Sequence, residues 1–374
     1  MLNRQHESRT SQTTLALFGA LVLCTSSSAA VAAKASASAS SAARQEKEKD
    51  TVRLKDGKSD SGKIESEGYV GVSLGGAKIV TWDKVQSVEY AGGAEYTAAL
   101  QLLTAGKLDD ALAEFDTLKE APKVRPVLKQ NVMFNIAQIL QRQGKTDEAV
   151  SAYRELFDAF PEGRYLRTAG DGLVACLMSK KDPAGASAAL DKIGDGAKGV
   201  EAFKPELAVM RARLFEFGKK TTEAKAAYES AAGAAGAVGQ EAQLGLARCL
   251  ALDGKGADAE AACRKLVSVS APNYVLAGAW NGIGDVWSEQ GRAKKDSEML
   301  LDALTAYLRG VVQYAPLPGE PSIEYERALA GSARCFKFIA QLDTQKERKN
   351  RYEQFARERV ELLKRDYPSS LFLE

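Results

Sequence analysis

The sequence predicts a mainly α-helical protein, a solenoid of about seven helical hairpins preceded by a small all-β, five-stranded barrel. Three observations carry this expectation. Asn135 to Pro161 reads as a helix, a glycine break and a second helix. The same pattern returns at nearly even spacing toward the C-terminus, as it must when one hairpin cannot bury its apolar face alone. Between Thr51 and Ala91 the hydrophobic period is two, not 3.6.

The chain begins with Arg4 and Arg9, an apolar run from Leu15 to Cys24, and small residues ending Ala30-Val31-Ala32. That is the layout of a secretory signal peptide, so residues 1–33 are expected to be removed and the protein exported to the periplasm or outer cell envelope. Leu23 before Cys24 departs from the small residue of a lipoprotein box, which favours loss of Cys24 with the signal over lipidation. No later apolar stretch approaches the roughly 20 residues that span a bilayer. Residues 34–50, rich in Ala and Ser and then in charge, are expected to form a disordered linker.

Residues 51–91 supply the β module. Val52 and Leu54 alternate before a Lys55-Asp56-Gly57 turn, Ile64 marks a second strand, and Val70, Val72 and Leu74 a third. Ile79 and Thr81 mark a fourth after Gly75-Gly76, and Val85 and Val88 a fifth after Trp82-Asp83. The run VRLKDGKSDSGKI resembles the opening of an Sm-like barrel, one of the SH3-type folds. The family's RNA-binding Asp/Asn and Arg-Gly pairs are missing from EGYVGV and VTWDKV, so nucleic-acid binding is not implied. So small a core is marginal, and the module is expected to lean on the helices through Trp82 or Tyr90.

Residues 92–374 carry the hairpins. A small residue near the start of each second helix sets the register at Ala111, Ala149, Ala186, Ala224, Ala259, Ala303 and Ala356. Four residues later stand Phe115, Tyr153, Leu190, Tyr228, Cys263, Tyr307 and Val360, on the same helix face. The first helices show a matching column, Ala99, Ala137, Val174, Ala212, Ala247, Gly284 and Ala333, where backbones approach closely. These columns, and WNGIGDVW from Trp280 to Trp287, resemble tetratricopeptide repeats. The resemblance implies a superhelical scaffold that binds proteins or peptides in a concave groove, without a reaction. The last two units are longer by close to whole turns, which favours longer helices over loops.

Composition excludes several functions. Net charge is +2, so no global field attracts nucleic acid or anionic lipid. His6 is the only histidine and lies in the expected signal peptide, which removes histidine-based catalysis and histidine metal sites from the mature chain. No cofactor is implied, since AAGAAGAVG lacks the lysine of a phosphate loop. Cys176, Cys249 and Cys335 fall in the first-helix core pattern and Cys263 in the aromatic column, which favours packing over disulfides.

In the resembled family the residue after the first-helix small position faces the groove. Here that column contains Gln138, Ala175, Arg213, Arg248, Asp285 and Arg334. Gln138, Arg213, Arg248, Asp285 and Arg334 are therefore the candidate partner-binding residues. The three arginines are expected to grip carboxylates of an acidic segment, with little consequence for stability if exposed. The alternative is a structural subunit that packs against its own copies or within a larger envelope complex.

Overall fold

The computed structural model describes residues 49–76, 78–316 and 322–373. The expected signal peptide, His6, Cys24 and nearly all of the expected linker lie outside them.

Six strands precede the helices, one more than the alternation suggests. They are β1 (Asp50–Leu54), β2 (Ser59–Gly62), β3 (Ile64–Glu67), β4 (Gly71–Leu74), β5 (Lys78–Thr81) and β6 (Val85–Glu89). They form two antiparallel three-stranded sheets, ordered β2-β1-β6 and β3-β4-β5. The extra strand arises because the run around Ile64 is divided at Lys63, its first part pairing with β1 and its second with β4. The polar sequence Ser59–Gly62 carries no apolar alternation, so only pairing reveals it as a strand. Val52, Ile64, Val72, Leu74 and Val80 form the module's buried core, joined by Val127 from the first long helix. Val70, expected to point inward, is exposed and precedes its strand. Asp50 was expected to close the linker and is instead the first residue of β1, almost fully buried.

Fourteen α-helices follow among the described residues, paired into seven hairpins. They are α1 (Ala94–Thr104) with α2 (Leu108–Glu120), α3 (Pro126–Arg142) with α4 (Thr146–Ala159), and α5 (Leu166–Ser179) with α6 (Pro183–Gly196). Then come α7 (Lys204–Phe217) with α8 (Thr221–Ala231), α9 (Ala237–Leu252) with α10 (Gly256–Val267), α11 (Asn273–Lys294) with α12 (Ser297–Val312), and α13 (Ile323–Leu342) with α14 (Lys346–Asp366). In the second hairpin the turn is made by Gly144 at φ +72°, a left-handed conformation that costs an L side chain about 1 to 2 kcal/mol.

The column that opens each second helix is the core. Ala111, Ala149, Ala186, Ala224 and Ala303 have no exposed surface, whereas Ala356, in the terminal helix, is half-buried. Aromatic residues of this face dock on glycines of the next first helix. A Cβ on Gly172, Gly245 or Gly331 would stand 2.5, 2.3 or 2.4 Å from the ring or hydroxyl atoms of Tyr153, Tyr228 and Tyr307. Each of these tyrosines then donates its hydroxyl back into its own hairpin, to Gln141 at 2.7 Å, Glu216 at 2.9 Å and Asp285 at 2.5 Å. The extra residues of the last two units lengthen helices, α11 to 22 residues and α14 to 21. All four described cysteines are free and buried. Burial pushes the Cys176 and Cys263 thiols up to about 12 and the Cys249 and Cys335 thiols up to about 11.

Candidate functional site

The polar residues of the hairpins' first helices form a ladder of ion pairs. Arg167 on α5 binds Asp171 at 2.7 Å and reaches over α7 to Glu241 on α9 at 2.8 Å. Arg213 on α7 meets the same Glu241, and Asp171 at 3.6 Å. Arg248 on α9 binds Glu216 at 2.8 Å, Glu324 at the start of α13 at 3.0 Å, and the Tyr228 hydroxyl at 3.0 Å. Arg327 on α13 pairs with Asp285, and the Asn281 amide donates to the Glu324 carboxylate at 3.1 Å. Burial alone would raise the Glu241 and Glu216 carboxyls; the facing arginines, Arg167 and Arg213 for one and Arg248 for the other, hold both below their ordinary range.

This placement corrects the expected basic column. Arg213 and Arg248 are 7% and 6% exposed and are engaged by the protein's own carboxylates. With Glu206, 3.9 Å from Arg167, four arginines of the ladder meet six carboxylates, so nothing there presents a free positive surface to an acidic segment. Buried charges must be paired to offset lost hydration, and reversing these arginines would unfold the array rather than spare it. Asp285 is likewise occupied, by Tyr307 and Arg327. Arg334 is exposed, and Gln138 is half-buried.

Beside this ladder lies a chamber of about 810 Å³. Its floor is made by the first helices α3, α5 and α7, with Asn135, Gln138, Gln141, Thr168 and Asp171 among Phe134, Tyr165 and Phe217. One wall is β6 of the β module, and the opposite wall is Ser322, Ile323 and Glu326 of the last hairpin with Leu371 beyond it. Of the candidates, Gln138 and Arg213 border this space, and the Gln138 amide is unengaged among the described residues. Burial dominates at Glu326 and raises its carboxyl above the ordinary range, against hydroxyl contacts from Ser322 and Ser370.

The β-module end of the chamber is held by buried polar contacts. Arg125 at the head of α3 makes two parallel hydrogen bonds to Asp50, at 2.8 and 2.6 Å, and Asp50 also accepts from the Ile64 and Ala91 backbones at 2.6 and 2.7 Å. Burial would raise the Asp50 carboxyl, but Arg125 and the two backbone donors hold it below the usual range. Glu67 accepts from the Tyr90 hydroxyl at 2.5 Å, Asn131 at 3.1 Å and Arg164 at 3.3 Å, while Gln130 donates to the Glu67 carbonyl at 2.9 Å. The Arg164 guanidinium lies 3.9 Å over the Trp82 ring. Trp82 and Tyr90 thus anchor the module, as its small core required. Asp50, Glu67 and Arg125 were not singled out from the sequence, because a lone acid in a polar run carries no local pattern.

Two tetratricopeptide-repeat family models match the sequence, over residues 131–163 and 209–275. Within those two stretches the chain matches tetratricopeptide repeats. Comparison with curated proteins gave no match. Among solved structures, similarity is found to a tetratricopeptide repeat protein of Parabacteroides merdae, at 15% identity over 70% of this chain and 97% of that one, TM-score 0.42. PilF of Pseudomonas aeruginosa is similar at 14% identity over 65% and 94%, TM-score 0.35. The type IV pilus biogenesis factor PilW is similar at 17% identity over 75% and 94%, TM-score 0.33. Among the described residues no helix is long and apolar enough to cross a membrane.

Proposed function

We propose that the chain is a non-enzymatic protein-interaction scaffold, exported to the cell envelope, that receives a segment of a partner protein in the chamber above α3, α5 and α7. The observation that carries this is the chamber itself, bordered by the first helices of tetratricopeptide units and lined by aromatic rings with the free amide of Gln138. Apolar walls with a few placed polar groups suit a peptide whose side chains enter and whose backbone needs donors and acceptors. Export rests on the N-terminal layout of basic residues, apolar run and Ala30-Val31-Ala32. The partner-facing residue of the expected column is then Gln138, with Arg334 at an exposed rim and Arg213, Arg248 and Asp285 acting as its internal support.

Site-specific photo-crosslinking in the native envelope tests this. A crosslinker at Gln138 is expected to give a discrete adduct with another polypeptide, while one at Lys225, exposed on the outer helix α8, gives none. Equal adducts from both positions would reject the chamber as the recognition face. An adduct of twice the chain mass from Gln138 alone would instead identify a subunit that assembles with its own copies. N-terminal sequencing of the same sample is expected to start near Ala33; a sample starting at Met1 in the cytosol would reject export.

A further inference from the structure

Helix α14 is dense in charge, and the chain beyond it changes character. Tyr367 to Leu373 reads YPSSLFL and carries no charged side chain. Pro368 cannot continue the helix, and Tyr367, at φ −136°, turns the chain away from its axis. The segment folds back on its own last hairpin and crosses to the beginning of the array. Pro368 comes to the turn between α3 and α4, where a Cβ on Gly144 would be 3.8 Å from it. Ser369 lies near Cys176 toward the end of α5 without a hydrogen-bond partner for its hydroxyl among the described residues, and Phe372 packs 6.1 Å from Phe217 at the end of α7. Ser370 reaches Glu326, and Leu371 borders the chamber. Ser369 and Ser370 are only 5% and 8% exposed, an unusual degree of burial for hydroxyls in a segment outside the helices.

What holds this segment is as informative as where it lies. Its backbone bonds stay local, Ser370 N–H to the Tyr367 carbonyl at 2.9 Å and Leu373 N–H to the Ser370 carbonyl at 3.5 Å. Among the described residues no backbone hydrogen bond ties Tyr367–Leu373 to α3, α5 or α7. Contact with those helices is by rings, hydroxyls and small surfaces alone. A seat of this kind, made by the ends of three successive first helices together with Leu329, Ala330 and Leu363 of the last hairpin, and filled by a short segment of two turns, is a peptide site already holding a peptide.

We propose that the seat of Tyr367–Leu373, at the C-terminal ends of α3, α5 and α7, is a peptide-binding surface for an uncharged, turn-forming partner segment in which small hydroxyl residues are followed by bulky apolar ones, and that the chain's own Tyr367–Leu373 occupies it until displaced. The inference rests on the chamber being a recognition face and adds the chemistry of its ligand. The terminus supplies that chemistry, since it shows which side chains the seat accepts.

The test uses the full chain and a fluorescein-labelled synthetic peptide spanning residues 367–374, read by anisotropy. Ser370→Glu places a second carboxylate beside half-buried Glu326 and is expected to expel Tyr367–Leu373. A ligand competing with a terminus that is seated about nine-tenths of the time binds about tenfold more weakly than the seat allows, so Ser370→Glu is expected to bind the peptide about tenfold more tightly than wild type. Adding Phe217→Ala is expected to abolish that gain. A Ser370→Glu chain with unchanged helix content and no gain overturns the inference, as does a gain indifferent to Phe217→Ala. Hydrogen exchange on the wild-type chain decides the matter if Ser370→Glu does not fold. Amides of Phe372 and Leu373 are expected to exchange well before that of Leu363 in α14, and faster still with excess peptide. Protection equal to Leu363 and indifferent to peptide would make the terminus part of the cooperative core and end the proposal. A Gln138 adduct in the envelope would survive that outcome, so the two readings fail separately.

Discussion

The two ends of the chamber are closed by opposite chemistry. At the β module, Asp50 and Glu67 are almost fully buried and accept hydrogen bonds from Arg125, Arg164, Asn131, Tyr90 and two backbone amides. At the other end, Tyr367–Leu373 is neutral and is seated by rings and hydroxyls. A buried ion pair tolerates one arrangement only, because either partner left alone in the interior is costly. A neutral segment loses far less when it leaves, since its hydroxyls and carbonyls are rehydrated. The β module thus positions α3 and α5 as a fixed wall, and the proposed displacement makes Tyr367–Leu373 the side that yields.

The sharpest way to break this comparison is at the fixed end. Arg125→Ala leaves Asp50 buried without its bidentate partner and is expected to cost about 3 to 5 kcal/mol, read by urea denaturation. Arg248→Glu, which sets a third carboxylate against Glu216 and Glu324, is expected to cost at least as much. A denaturation curve unchanged in either variant would mean that these groups are hydrated rather than buried, and the distinction between the two ends would collapse.

A smaller effect is expected from the packing beneath both ends. Ala149 has no exposed surface where α4 meets its neighbours, and Ala149→Leu forces extra methylenes between close helices. Such overpacking costs about 1 to 3 kcal/mol. No loss of stability would displace the helical register on which the whole array is drawn.

The array was legible in the sequence because its period is set by sterics that each repeat must satisfy again. Ala111, Ala149, Ala186, Ala224 and Ala303 are buried where the spacing put them, and the long last units became long helices as whole-turn insertions require. The matching glycines were harder to see. Gly172, Gly245 and Gly331 meet Tyr153, Tyr228 and Tyr307 from the next hairpin, so their partners lie across a variable linker. The site was less legible still. A column rule selects Arg213 and Arg248, yet it cannot tell that Glu241, Glu216 and Glu324 from other hairpins arrive there to neutralise them. Partners drawn from distant units are set by superhelical winding, which no local period encodes. For the same reason Asp50 read as the end of a linker.

Acidity separates the two ends by sign. Asp50 has a depressed pKa in the fold, so its contribution is present above its ordinary value of 3.8 and is lost as pH falls through the lower folded value. Glu326 has a raised pKa, so its contribution is present below 4.5 and is lost as pH rises through the higher folded value. Acid is thus expected to loosen the β module and leave the terminus seated, and rising pH the reverse. Trp82 emission reports the first, through its stacking on Arg164. A fluorophore on Leu373→Cys in the chain lacking residues 1–33 reports the second, because the four cysteines of the described residues are buried with raised pKa values and react slowly. Both probes moving in the same direction would contradict the assignment.

The smallest expected effect is the most telling for the movable end. Phe372 is half-buried and touches Phe217 at the edge of the array. If the terminus leaves before the array unfolds, its contacts contribute to a local equilibrium and hardly at all to the global one. Phe372→Ala is then expected to change the urea midpoint by no more than about 0.5 kcal/mol, as for a surface position, while increasing exchange at the Leu373 amide severalfold. A buried phenylalanine that belonged to the cooperative core would cost about 3 to 5 kcal/mol on the same substitution. A loss of that size would show that the terminus is as firmly built in as Asp50 and Glu67, and that the chamber is closed at both ends by fixed walls.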